Sequence, residues 1–182
     1  MRIIAGKWRG RRLPVVAVAG LRPSGDRSRE TLFNWLQPHV RGARCADLFA
    51  GTGVLGFEAV SRGAATAVLV EKSRPAADAL RASCAQLGAA ADTVAVVETD
   101  ALRWLQQQAA RSLELVFVDP PFDLALQPAV IDCLAQHDIL SPGGLVYLET
   151  ARTAPPVTLA AGWQVLQHTL LGEVQMQLLR RL

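Results

Sequence analysis

The run Asp47-Leu48-Phe49-Ala50-Gly51-Thr52-Gly53-Val54-Leu55-Gly56 gathers the residues best suited to chemistry. Glycine at positions 51, 53 and 56 lets a nucleotide-like ligand approach the backbone, and the helix that follows offers unpaired N–H groups at its start. The same glycines satisfy the GxGxxG spacing of dinucleotide sites, and any tight strand-to-helix turn favours glycine too. Acids at successive strand ends narrow the choice. Asp47 precedes the loop, Glu71 ends a second strand and Asp100 follows a third. Each alone reads equally as a helix cap or a solvated loop carboxylate. Together, at the carboxyl ends of a parallel sheet, they line one crevice. Three carboxylates repel a pyrophosphate. They suit a ligand with a cation, a ribose diol and an exocyclic amine, and S-adenosylmethionine has all three. Glu71 is expected to accept from both ribose hydroxyls, Asp100 from the adenine amino group, and Asp47 to lie near the methionine ammonium. Phe49, Lys72 and Ala101, beside or next to these acids, complete the candidate cofactor set with Gly51 and Gly53.

A fourth strand, Leu115–Val118, runs straight into Asp119-Pro120-Pro121-Phe122. Two prolines fix φ and remove two N–H donors, leaving a stiff loop rich in acceptors. Asp119 and the Pro120 carbonyl are placed to accept the two protons of an exocyclic amine, with Phe122 stacked on the base plane. The nitrogen lone pair then points at an activated methyl. Such a reaction needs positioning more than a strong base.

These residues require alternating strands and helices to carry them. The sequence predicts strands over Arg44–Ala50, Thr66–Val70, Thr93–Val97, Leu115–Val118 and Gly144–Leu148. Helices are predicted over Val54–Arg62, from Ser73 to Gly88 with Ala76, Leu80, Cys84 and Leu87 on one stripe, after Asp100, and over Ala125–His137. An earlier helix begins at Asp26 or Ser28 and stops before Pro38. This alternation implies a mainly parallel sheet covered on both faces. Trp163–Leu170 and Val174–Leu179, joined through Gly172, read as a closing antiparallel hairpin.

Composition bounds the rest. The chain has 182 residues, 51% hydrophobic and 19% charged, one domain's worth of foldable sequence. Leu13–Leu21 is too short for a membrane span and contains Pro14 and Gly20. No signal-peptide pattern opens the chain, and Cys45, Cys84 and Cys133 have neither metal nor redox spacing, so a reducing cytoplasm and no metal are expected. The net charge of +3 conceals an asymmetry. Residues 1–44 carry ten basic residues against Asp26 and Glu30, whereas the remainder is acidic on balance. A basic arm over residues 1–21 on a body over 22–182 suggests a polyanionic partner.

The chain resembles Class I S-adenosylmethionine-dependent methyltransferases with a [Asp/Asn]-Pro-Pro-aromatic signature. More narrowly, it is similar to the bacterial RsmD family. The similarity is carried by Arg2-Ile-Ile-Ala-Gly6-Lys7-Trp8-Arg9-Gly10-Arg11-Arg12-Leu13, Leu21-Arg22-Pro23, Asp26–Leu36, the Asp47–Gly53 loop, Ser61-Arg62-Gly63 and the Gly172-Glu173-Val174 hairpin. The resemblance implies a Rossmann-like seven-stranded sheet, mostly parallel, with a small basic N-terminal arm. It implies methyl transfer to the N2 amine of one guanine in 16S ribosomal RNA, at position 966, within an assembling or assembled small subunit. It also implies a monomer. By motif, Asp119 to Phe122 grip the amine and Arg29 is a candidate partner of the cofactor carboxylate, with Asp26 or Glu30 as alternative structural partners. Arg2, Lys7, Arg9, Arg11, Arg12 and Arg22 become candidates to track phosphates, and Trp8 to stack on an unpaired base. Two departures stand out: Phe122 where the family usually has Tyr, and Ser24-Gly25 where it usually has two threonines. Three other readings stay open at this point: an NAD-dependent oxidoreductase using the glycine loop, a non-catalytic RNA-binding factor, and an adenine-N6 methyltransferase of DNA or RNA.

Overall fold

The computed structural model describes residues 1–14, 25–155, 157–159 and 161–182. Seven strands form one sheet: β1 (Arg44–Asp47), β2 (Thr66–Glu71), β3 (Val94–Glu98), β4 (Leu113–Val118), β5 (Leu140–Ala151), β6 (Trp163–Leu171) and β7 (Val174–Arg181). Their order is β3-β2-β1-β4-β5-β7-β6. The first five run parallel, and β7 is antiparallel to both β5 and β6. The helices are α1 (Asp26–Leu36), α2 (Val54–Ser61), α3 (Arg74–Leu87), α4 (Ala101–Leu105) and α5 (Gln127–Gln136).

Strand periodicity sorts side chains onto two faces. Leu69, Phe117, Tyr147 and Met176 face one core with Leu32 and Phe33 of α1, Phe57 of α2 and Leu80 of α3. Their sequence neighbours Val70, Val116, Val118, Val146 and Leu148 face the other, with Trp104 of α4 and Ile131 and Leu134 of α5. A parallel sheet buried on both faces is the reason its strands read as near-continuous apolar runs. β1 and β4 meet at the strand-order reversal, which opens a crevice beyond their carboxyl ends.

Local details depart from the sequence expectations for physical reasons. β1 stops at Asp47, three residues early, because the chain turns into the glycine loop. β5 begins at Leu140, before Pro142-Gly143-Gly144, and absorbs those residues as an irregularity in its pairing with β4. α5 starts at Gln127 because Phe122–Leu124 forms a 3-10 turn and Ala125 adopts φ +44°. On α3, Ala76, Leu80 and Leu87 are buried and Cys84 packs half-buried against the first core, with Ser83 buried beside it, and the Ser73 hydroxyl makes no capping bond.

Candidate active site

Asp47 is buried at the tip of β1, where its Oδ2 accepts the Gly56 N–H of α2 at 3.2 Å. Close packing explains the glycines between them. At Gly53 (φ +74°) a Cβ would sit 2.5 Å from Leu80 Cδ2, and at Gly56 one would sit 2.2 Å from Leu69 Cδ2. The loop is held from the side by Glu71. One carboxylate oxygen accepts the Gly51 N–H at 2.9 Å and the other accepts the Ser73 N–H at 2.7 Å. Glu71 therefore ties the first crevice loop to the second. Asp100 caps α4, its Oδ1 accepting from Leu102 and Arg103 N–H groups at 3.0 and 3.2 Å. Beside these acids, Ala101 is buried, Phe49 is half-buried against the second core and Lys72 is exposed.

Asp119 follows β4 directly and is half-buried; Pro120 behind it is buried, and Pro121 and Phe122 are half-buried. Asp119 lies within electrostatic reach of Asp47. Burial, Asp119 and Glu71 push the Asp47 carboxyl up to about 7, against the opposing pull of the Gly56 and Phe49 N–H groups. The crevice thus brings Glu71 and Asp119 within electrostatic reach of Asp47. A cationic ligand would relieve their repulsion, which fits the sulfonium and ammonium of S-adenosylmethionine.

Known proteins resemble this chain along its whole length. The chain matches the family described as "Conserved hypothetical protein 95" over residues 1–180. It is 40% identical over 179 residues to a Haemophilus influenzae protein named ribosomal RNA small subunit methyltransferase D, covering 98% of this chain and 92% of that one. It is 41% identical over 181 residues to the Escherichia coli K12 protein of the same name, covering all of this chain and 90% of that one. The solved structure of the Escherichia coli yhhF protein superposes with a TM-score of 0.88 at 40% identity, covering 100% of this chain and 97% of that one. The chain belongs to the RsmD family. Its fold is that of the class I methyltransferases.

Within this RsmD family member, two sequence expectations need correction. Trp8 does not stand free for a nucleobase. It is buried edge-on against Phe57, with ring centroids 6.2 Å apart, and its backbone N–H donates to Ser61 Oγ. An indole buries too much apolar area to stay in solvent when a helix face is available. Arg29 does not reach for a ligand carboxylate. Its side chain is wholly buried, bonded to Asp26 and to the Arg2 carbonyl, and 3.8 Å from Glu58. The partner is Asp26, with Glu58 in the place of Glu30.

The basic arm is a docked loop. Arg2 and Arg12 form an antiparallel bridge, and Ile3 and Leu13 are buried. Gly6 (φ +81°) crosses Ser61 so closely that a Cβ would fall 1.7 Å from the Ser61 carbonyl oxygen. The side chains of Arg2, Lys7, Arg9, Arg11 and Arg12 are exposed on this loop, with Arg11 also donating to the Gln86 carbonyl. Arg22, with Leu21, Pro23 and Ser24 and the boundary at 21–22, lies outside the described residues.

Sequence reasoning missed Glu149 and Tyr147. Both are buried on β5, and the Tyr147 hydroxyl donates to Glu149 Oε2. The signal was present, because Glu149 follows the predicted Gly144–Leu148 strand as Glu71 follows Thr66–Val70. Glu58, on the wholly buried helix α2, was also missed.

Proposed function

We propose that this protein transfers a methyl group from S-adenosylmethionine to the exocyclic N2 amine of a specific guanine in small-subunit ribosomal RNA. The observation that carries the reading is the Asp119-Pro120-Pro121-Phe122 clamp, set at the β4 tip across the crevice from Asp47. The names of the relatives from Haemophilus influenzae and Escherichia coli support the substrate class.

Bound S-adenosylmethionine would supply a methyl group already activated by its sulfonium. Asp47, Gly51, Gly53, Glu71 and Asp100 are the residues to hold it, with Phe49, Lys72 and Ala101 beside them. Glu71 oxygens already accept backbone N–H groups and retain lone pairs for hydroxyls. Asp119 and the Pro120 carbonyl accept the two amine protons, so the nitrogen lone pair is aimed into the crevice. Phe122 supplies a ring for the extracted base, worth about 1–3 kcal/mol. The base must leave its stack to arrive, and the exposed arginines of the docked loop hold the flanking phosphates.

The test is methyl transfer to small subunits from a strain lacking this protein, beside deproteinised RNA, followed by nucleoside analysis. N2-methylguanine is the expected product. N6-methyladenine, or no transfer with intact cofactor binding, would overturn the reading.

A further inference from the structure

The docked loop lies along α2, and its two ends sit at opposite ends of that helix. α2 begins after Gly53, in the loop beyond the carboxyl tip of β1, and ends at Ser61, shortly before the first residue of β2. Its eight residues advance about 12 Å. The open end of the loop, where Arg2 bridges Arg12, meets the first turn of α1. Arg2 stands 3.6 Å from Asp26, and its carbonyl accepts from Arg29. That turn is on the crevice side. α1 runs back toward the amino end of β1, and its Phe33 already meets Phe117, two residues before Asp119, at 6.1 Å.

The closed end of the loop meets the far end of α2. The Lys7 N–H donates to the Ser61 carbonyl at 2.8 Å, the Trp8 N–H to Ser61 Oγ at 2.9 Å, and the Arg9 N–H closes the turn on the Gly6 carbonyl at 3.1 Å. Arg11 reaches the last turn of α3, its guanidinium donating to the Gln86 carbonyl at 2.6 Å. α3 also ends at the amino edge of the sheet, ahead of β3. Ile3, Trp8 and Leu13 are buried in the core that holds Phe57 and Leu80, which leaves Arg2, Lys7, Arg9, Arg11 and Arg12 outward. Glu58 fixes the backbone between the two ends by accepting the Ile4 and Ala5 N–H groups at 2.7 and 3.0 Å. The far cations are therefore held away from the crevice.

We propose that these five cations form a track for the RNA strand beside the target guanine, running from the crevice along α2 to the amino edge of the sheet. Arg2 and Arg12 meet phosphates close to the extruded base. Lys7, Arg9 and Arg11 meet phosphates about four nucleotides away, since about 12 Å of helix spans that many stacked nucleotides at about 3.4 Å each. The identity of the base rests on the functional reading above; the track does not.

RNA fragments carrying the target guanine, lengthened stepwise on the 5′ side and separately on the 3′ side, test this. Their binding to the whole protein is followed by fluorescence anisotropy between about 50 and 200 mM salt. Past about four nucleotides on one side, the salt slope of wild type should steepen by about 2, from three phosphates at about 0.7 each. Joint replacement Lys7→Ala, Arg9→Ala and Arg11→Ala should remove that step, with binding of shorter fragments and cofactor Kd unchanged. Arg9→Lys with Arg11→Lys should keep it, because a phosphate needs only the charge. Arg2→Ala with Arg12→Ala should weaken short and long fragments alike. A step that survives the triple replacement, a triple variant that weakens every length equally, or no step at any length in wild type overturns the track. Failure of the functional reading looks different: wild-type protein would show the step and still leave guanine N2 unmethylated.

Discussion

Replacing Asp47 with Asn should stabilise the ligand-free protein while disabling its crevice. Burial and the acids nearby raise this carboxyl from an ordinary 3.8 to about 7. The folded chain therefore holds the proton more tightly than the unfolded chain. Stability is fully present below the lower value and is lost as pH rises through the higher one. By pH 8 the loss amounts to about 4 kcal/mol, against about 2 kcal/mol at pH 5. Asn carries no charge to desolvate. It keeps an acceptor for the Gly56 N–H but gives up the Phe49 bond, at a cost of about 1 kcal/mol at any pH. The Asp47→Asn protein should thus be about 3 kcal/mol more stable than wild type at pH 8, with an advantage that grows by about 2 kcal/mol between pH 5 and pH 8. Urea unfolding of both proteins across that range measures it. A difference independent of pH, or one that shrinks as pH rises, would refute the argument. Cofactor binding gives a companion readout. A cation entering the crevice should drive the proton off Asp47, so titration calorimetry below pH 7 should show proton release by wild type and none by the variant.

Asp119→Ala should nearly abolish turnover while cofactor affinity falls much less; equal losses, by tritium transfer and calorimetry, would remove Asp119 from the amine. Joint replacement of Arg9, Arg11 and Arg12 by Ala should weaken RNA binding and reduce its salt slope, and an unchanged slope would take the loop off the RNA. Gly6→Ala should cost more than about 2 kcal/mol in unfolding free energy, because a side chain cannot share space with the Ser61 carbonyl. Wild-type stability would mean that the loop leaves the α2 surface freely.

The sheet was legible because its strands carry their own punctuation. Gly63, Gly88 and Gly172 mark ends that the structure places in left-handed backbone. Asp47, Glu71 and Asp119 stand at strand tips because glycine and proline turns begin there. What the sequence hid is tertiary. Trp8 lies in a stretch crowded with arginine, so local composition argued for a wet surface, and the Phe57 ring that covers it is distant in the chain. Arg29 has two acids, Asp26 and Glu30, on its own helix, so no spacing rule selects Glu58. Glu149 escaped because an acid inside a long apolar strand reads as its exposed end. Pairing with β7 beyond that point extends β5 and buries it.

Glu58 gives the docked loop a thermodynamic consequence. Its two oxygens accept from Ile4 and Ala5 N–H groups at 2.7 and 3.0 Å and from Arg62 at 2.7 Å, in complete burial. Peeling the loop away would strip the Ile4 and Ala5 donors from this carboxylate and leave it to Arg62, so detachment is opposed by two charge-assisted hydrogen bonds. The backbone that carries the surface arginines is consequently held in place, and amide exchange at Ile4 and Ala5 should track global unfolding rather than fraying.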